Sequence, residues 1–340
     1  MSKIRILLPL CLLFAALHVE AQCPAGNTFT VTNNSGANVL GSIRRACQCV
    51  NSMPALTTID FAIPSGSTVI QPGAELLISA SGILIDGTSQ SGIIIDGSSV
   101  AGAPPHGLRL TGTGITVQGL EIQNFTATAG GHGIRLDANG NTVINNILHD
   151  NRNGVFTNTG VATALITENS IYCNSIEGIN RATGPALPAL SANTQRVKGT
   201  AVANALVEVF INDNTGCAAA PCQGKTFVGA TTANAAGNWQ LDVLPGVLLG
   251  GQEVTATSTT NGNNTSEFPS CALVADCSIF EVNVADTDVS CFGNTNGTAT
   301  ATTTGGGGGA TFLWSTGAVT AILNNLAPNT YTVTATDNAG

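Results

Sequence analysis

Gly107-Leu-Arg-Leu110, Gly133-Ile-Arg-Leu136, Gly154-Val-Phe-Thr157 and Gly178-Ile-Asn180 restate one phrase at intervals of 26, 21 and 24 residues (133−107, 154−133, 178−154). Each copy is a glycine, then alternating apolar residues, then an Asn-rich turn. A period of this size with strand-like alternation is the mark of a solenoid. Between the copies, Gly119-Leu-Glu-Ile-Gln123 and Asn141-Thr-Val-Ile-Asn-Asn-Ile-Leu148 are Val/Ile/Leu-rich runs cut by Gly or Asn before a helix could form. Such strands cannot bury an apolar face alone, but stacked coils can share one core. Asn tolerates left-handed backbone and can form side-chain ladders, so it suits the corners. The reading is a right-handed parallel β-helix, with a Gly-rich β-sandwich as the alternative.

Outward from the repeat, the chain begins with Lys3 and Arg5 ahead of an apolar run, Ile6 to Leu17, and Val19-Glu-Ala21 offers small residues for cleavage before Gln22. Residues 1–21 are therefore expected to be a signal peptide. Gln22 ahead of Cys23 does not fit a lipoprotein, and no later stretch has the ~20 apolar residues a membrane span needs. The chain carries 11 basic and 20 acidic residues, a net charge of −9; without Lys3, Arg5 and Glu20 this becomes 9 against 19, near −10. That balance excludes nucleic acid as a partner and suits an exported surface. Without Cys11, nine of the 10 cysteines remain. In an exported chain these are expected to form disulfides, with Cys217–Cys222 the easiest pair and Cys271–Cys277 a second. Cys47-Gln-Cys49 lacks both a nearby His cluster and the spacing of a metal or redox pair.

The order of Gly41-Ser-Ile-Arg-Arg-Ala46, Phe61-Ala-Ile-Pro64, Ile85-Asp-Gly-Thr88, Ile95-Asp-Gly97, Gly107-Leu-Arg-Leu110 and Val117 to Phe125 resembles bacterial surface β-helix proteins that open with a CSLREAI-type motif. Gly41 stands where that motif has Cys, and Arg45 where it has Glu. Residues 41–46 are read as the start of a short helix capping the first coil, because terminal repeats need a cover. Past Pro185-Ala-Leu-Pro188, strands recur at sandwich spacing, and this part resembles an Ig-like module with Trp239 in its core. Val289-Ser-Cys291, Phe312-Leu-Trp314 and Val333-Thr-Ala-Thr-Asp337 resemble the SprB repeat of Bacteroidetes surface proteins. That repeat usually closes with Gly-Cys, so Cys291 is expected to have its partner beyond Gly340. The expected organisation is an all-β chain: a β-helix with its cap over 22–184, an Ig-like β-sandwich over 185–271, a linker over 272–286 and a SprB-like sandwich over 287–340, with further C-terminal modules to follow.

Parallel β-helices also carry polysaccharide lyases, hydrolases and epimerases, which work through paired carboxylates or a Ca2+-assisted base. The candidate catalytic residues are Asp137, His149, Asp150 and Arg152, since His149-Asp-Asn-Arg152 could place a base, an acid and a cation at one corner. The bland alternative is a turn in which Arg152 pairs with Asp150. Glu168 is a further carboxylate. Arg109 and Arg135 hold the same place in successive coils and could bind an acidic sugar. Asp86 and Asp96 fit Asx-type turns, and His106 and His132 are read as lying in loops that cross between coils. No cofactor or metal triad is expected, Ca2+ being implied only by the lyase alternative. The preferred function is a non-catalytic, exported cell-surface protein for adhesion, glycan recognition or spacing, with an extracellular polysaccharide or surface protein as partner; a carbohydrate-active enzyme is the rival.

Overall fold

The computed structural model describes residues 23–64, 66–100, 106–128, 130–217, 220–276, 280–291, 293–305 and 309–337. Residues 1–21, read as the signal peptide, lie outside the described residues. From Thr58 to Arg181 the chain winds five coils, each giving one strand to each of three parallel sheets. The first sheet stacks Thr28–Val31, Thr58–Phe61, Leu84–Asp86, Thr116–Gln118, Asn141–Ile144 and Ala164–Thr167. The second stacks Val69–Ile70, Ile94–Asp96, Glu121–Gln123, Ile147–His149 and Ser170–Tyr172. Leu76–Ile78, Leu108–Leu110, His132–Leu136, Asn153–Thr157 and Glu177–Arg181 make the third.

Because side chains alternate along a strand, parallel in-register stacking turns each apolar position into a column. Ile59, Ile85, Val117, Val143 and Ile166 form one, and Ile70, Ile95, Ile122, Leu148 and Ile171 a second. All are buried in one continuous core. The repeated glycines have a steric cause. A Cβ on Gly107, Gly133 or Gly154 would lie 2.5, 2.8 or 2.6 Å from the carbonyl oxygen of the equivalent glycine in the next coil.

The corners are joined by amides. Between the second and third sheets, Asn124, Asp150 and Cys173 adopt left-handed backbone (φ 64, 53 and 53°), and in the last two coils an asparagine follows. Asn151 Nδ2 donates to Ile122 O and to Asn174 Oδ1, while Asn151 Oδ1 accepts from Phe125 N. Between the first and second sheets, Asn146 and Asn169 repeat the arrangement. These side chains are buried, so each satisfies backbone groups that water cannot reach.

Both ends are covered. At the start, the helix Ile43–Ser52 is N-capped by Ser42, whose hydroxyl accepts from Arg45 N, and buries Ile43, Ala46, Cys47 and Val50 over the first coil. Cys23–Cys49 pins it. Gly41 has φ +77° and a Cβ there would lie 2.2 Å from Thr32 Oγ1, which explains a glycine where the related motif has cysteine. Cys47 is a buried free thiol whose pKa burial pushes up to about 12.

At the other end the second module closes the solenoid. Asn264–Thr265 pairs in parallel with Ala164 on the first sheet, and Ile166 N donates to Thr265 Oγ1. Ile171 N donates to Gly224 O on the second sheet. Gln223 continues the corner ladder, accepting from Asn174 N and Nδ2 and donating to Asn174 O. Phe268 packs on the end of the core. The module is a sandwich. One sheet holds Ala189–Asn193, Arg196–Thr200, Asn238–Asp242 and Ala272–Ala275; the other is built on Leu206–Asn212, Thr226–Thr232 and Glu253–Thr260. Trp239 is buried in its core, as expected.

Two disulfide expectations are corrected. Cys217 bonds Cys173 and Cys222 bonds Cys271; Cys277 lies outside the described residues. Proximity in sequence loses to the closure: Cys173 occupies a left-handed corner of the last coil, and Cys222 precedes the ladder residue Gln223. The two bonds tie the sandwich to the solenoid and its two closing segments to each other. The linker expected over 272–286 is also corrected, since Ala272–Ala275 pairs within the sandwich and Glu281–Thr287 is the first strand of the last module. That module has a three-stranded sheet, Glu281–Thr287, Gly297–Thr304 and Ile322–Leu326, and a two-stranded one, Ala310–Trp314 and Val333–Asp337.

Glu208 lies at the seam between solenoid and sandwich, 2% exposed, accepting from Thr167 Oγ1 and Glu168 N. Burial raises its carboxyl pKa against the hydrogen bonds that lower it. A carboxyl raised in the folded state is favoured neutral, so its stabilising share is present below the unfolded value of 4.5 and lost as pH rises through the folded value. Glu208→Gln should therefore raise the melting temperature at pH 8 and leave it unchanged at pH 4, as read by calorimetry. Asn151→Ala strips buried partners from Phe125 N and Ile122 O and should cost on the order of 3 kcal/mol in denaturant titration, whereas Asn263→Ala on an exposed turn should stay within about 0.5 kcal/mol.

Candidate functional site

The third sheet presents an outward column of Leu77, Arg109, Arg135, Phe156 and Asn180, one residue from each coil. Strand alternation puts it between buried columns, and the coil spacing sets its residues about 4.8 Å apart. Arg109 and Arg135 are thus neighbours on one face, as the sequence implied. Both are held by a single carboxylate. Arg109 Nε donates to Asp137 Oδ2 at 2.6 Å and Arg135 Nε to Asp137 Oδ1 at 2.8 Å. Arg109 Nη1 also lies 3.6 Å from Glu75 Oε1, and the Arg135 guanidinium sits 5.6 Å over the Phe156 ring.

These carboxyls are driven apart. Burial alone would raise Asp137, but hydrogen bonds from Arg135 and Arg109 outweigh it and hold the group below the usual carboxylate value. At Glu75 burial prevails over the attraction of Arg109, and the pKa is raised.

Behind the arginines lies an aromatic stack. His106 and His132 are parallel with centroids 4.8 Å apart, and His132 stacks on Phe156 at 4.2 Å. His106 lies in the irregular segment ahead of Leu108–Leu110, as read from the sequence, whereas His132 is a strand residue, contrary to that reading. Each immediately precedes a glycine of the repeat, His132 opens its strand, and both are buried. The position before each repeated glycine was the available signal, occupied in turn by His106, His132, Asn153 and Glu177. Asn153 Nδ2 meets His132 Nδ1 at 3.0 Å, and Arg135 Nη1 lies 3.3 Å from His106 Nε2. Burial, then Arg135, lowers the His106 pKa to about 4; burial, then His106, lowers that of His132 to about 3. Both rings are neutral at pH 7.

A second group lies on the second sheet, where Asp96, Gln123, His149 and Tyr172 share a column. His149 Nδ1 is 2.6 Å from Asp150 Oδ2 and Nε2 is 3.1 Å from Glu121 Oε1. Its ring stacks on Tyr172 at 4.9 Å, and Lys225 of the sandwich lies over the far face while pairing with Asp213. Asp86 and Asp96 accept from Thr88 N and Ser98 N, the expected Asx turns. Glu168 is a left-handed corner residue.

The four candidate catalytic residues are thus divided. His149 and Asp150 are bonded to each other, Asp137 belongs to the arginine cluster, and among the described residues no hydrogen bond or ion pair links the two groups. Arg152 does not pair with Asp150; its backbone N–H donates to Phe125 O and Gly131 O, and its charge acts on His132. Among the described residues no group of three or more His, Cys, Asp or Glu side chains is arranged to hold a metal ion.

Comparison with known proteins agrees with this architecture. Residues 81–205 match the family model of the right handed beta helix region. Residues 283–319 match that of the SprB repeat. The chain thus joins a right-handed β-helix to a SprB repeat, and together with three disulfides this combination points to an extracellular or cell-surface protein. No curated protein matches the chain significantly. Among the described residues no helix is long and apolar enough to cross a membrane.

The two buried imidazoles predict acid sensitivity. A histidine lowered in the folded state contributes stability that is present above its unfolded value of 6.5 and lost as pH falls through the folded value. His132→Leu keeps an apolar filler without a titrating ring, so it should lose less unfolding free energy than the wild type between pH 7 and pH 4, by urea titration at each pH.

Proposed function

We propose that this is an exported, multidomain cell-surface protein, with residues 1–21 as its export signal, and that its β-helix is a rigid recognition element for extracellular polysaccharide. The observation that carries this reading is the outward column of Arg109, Arg135 and Phe156 on the third sheet. It gathers guanidinium groups in an acidic chain: Arg109 and Arg135 share Asp137, Glu75 lies beside Arg109, and the charge of Arg152 reaches His132. Guanidinium groups beside a half-buried aromatic ring suit a sugar bearing a carboxylate or sulfate, since the anion accepts charge-assisted hydrogen bonds. Asp137 holds both arginines in place before any ligand arrives, which lowers the ordering cost of binding. Contacts repeated along the coils, and along further modules of the same chain, would add by multivalency.

A second reading has one observation in its favour. Glu75 and Asp137 are pushed in opposite directions and share Arg109, and such a pair divides acid and base roles in carbohydrate-active enzymes. One panel of neutral, uronate-containing and sulfated polysaccharides separates the two. Recognition requires retention of acidic polymers without turnover, weakened at least tenfold by Arg135→Ala with Phe156→Ala and by 0.5 M salt. Release of reducing ends or unsaturated uronates, lost in Asp137→Asn or Glu75→Gln, would assign the chain to catalysis instead. Equal retention of neutral and acidic polymers would sink the acidic-sugar reading.

A further inference from the structure

The four cysteines at the junction of solenoid and sandwich are paired in series. Cys173 bonds Cys217, 44 residues on, and Cys222 bonds Cys271, 49 residues on. The two loops follow one another without overlap, and Cys217 stands only five positions ahead of Cys222. A continuous covalent route therefore leads from the last coil through Cys173–Cys217, along residues 217–222 and through Cys222–Cys271 to the chain beyond. By the backbone, Cys173 and Cys271 are 98 peptide units apart (271−173), which could stretch to roughly 340 Å. By the disulfide route they are five units and two bridges apart, with bridge Cα–Cα distances of 5.1 and 5.5 Å, a span of at most about 28 Å.

The short route leaves out nearly the whole sandwich. The first loop holds the solenoid's last strand, Glu177–Arg181, with Ala189–Asn193, Arg196–Thr200 and Leu206–Asn212. The second holds Thr226–Thr232, Asn238–Asp242, Glu253–Thr260 and Asn264–Thr265. Glu208, Gln223, Gly224 and Thr265, through which the sandwich hydrogen-bonds the last coil, all fall inside the loops. Non-covalent ladders give way under tension at their unfolding rate, whereas strands outside the loaded route stay unloaded until a bridge is broken. We propose that Cys173–Cys217 and Cys222–Cys271 form a covalent shunt that carries tension past the sandwich, making the chain a load-bearing tether between the solenoid and the SprB module. A local Cys217–Cys222 bridge would have left both loops under load. Only Ala272–Ala275, the sandwich strand after Cys271, stays in line. The source of the load, a polymer held on the solenoid of a surface protein, rests on the recognition reading above; the shunt itself does not.

The test is single-molecule stretching of the full chain, held by azide-bearing residues in place of Thr159 and Thr295, both exposed. The load then enters the solenoid ahead of Cys173 and leaves after Cys271, and Cys23–Cys49 lies outside the stretched span. In the oxidised protein no single step should exceed about 90 Å, since only residues 160–172 and 272–294 can extend. Reduction of the same folded molecules should add two lengthenings, about 150 Å for the first loop and about 165 Å for the second. Cys173→Ser with Cys217→Ser should add the first alone, and Cys222→Ser with Cys271→Ser the second alone; reduction during the pull gives the same readout should either variant fail to fold. A step of about 150 Å or more from the oxidised chain overturns the shunt. So does a reduced chain that yields at lower force without lengthening, because the bridges would then serve stability alone. Stretching needs no ligand, so its outcome is separate from that of the recognition reading, which the polysaccharide panel decides.

Discussion

Everything in the first half of the molecule depends on how closely one coil can approach the next. The backbone ladders set that distance, and the column of Gly107, Gly133 and Gly154 shows how little slack it leaves, because a single added carbon would reach the neighbouring carbonyl. The consequences run outward. Columns of Ile, Leu and Val form because equivalent positions must superpose, aromatic rings stack because the spacing between coils suits parallel rings, and the amides of Asn146 and Asn151 reach both the coil before and the one after, while those of Asn169 and Asn174 reach back from the last coil. The same spacing brings Arg109 beside Arg135, which would repel one another without Asp137 between them.

That geometry explains which parts of the protein were legible in the sequence. The glycine phrase and its alternation identified the solenoid because each coil must satisfy the same local rule, and the Asn corners followed from the same repetition. The short helix over the first coil, the Asx turns at Asp86 and Asp96, and Trp239 in its core were readable because each depends on neighbours in sequence or on bulk. The closure of the solenoid was not. Gln223, Asn264, Thr265 and Phe268 belong to no repeat, and what joins them is a shared surface presented by the last coil. The disulfides failed with it, since Cys173, Cys217, Cys222 and Cys271 answer to that surface and not to their spacing.

The site was legible in part. The pairing of Arg109 with Arg135 came from their equal position in the phrase, while Glu75 and the stacked histidines did not stand out. Glu75 precedes the repeat's first full copy, and a histidine before a glycine gives no sign of the ring stacked on it from the next coil. His149, Asp150 and Arg152 are neighbours in sequence, but His149 ends a strand while Asp150 and Arg152 belong to the corner that follows it. A solenoid separates sequence neighbours at every corner and gathers residues some 20 to 30 apart, so a local motif is a poor guide to a constellation there.

Gln223 ends the corner ladder by doing for Asn174 what Asn174 does for Asn151. The sandwich therefore meets the last coil much as one coil meets the next, through an amide acceptor, a strand paired at Ala164 and an apolar end, with Cys173–Cys217 fixing the junction. Any coil that ends in these features could receive the same closure. Whole coils can then be duplicated or deleted upstream during evolution without redesigning the junction, so the length of the solenoid's outward faces and the presence of the modules behind it are free to vary independently.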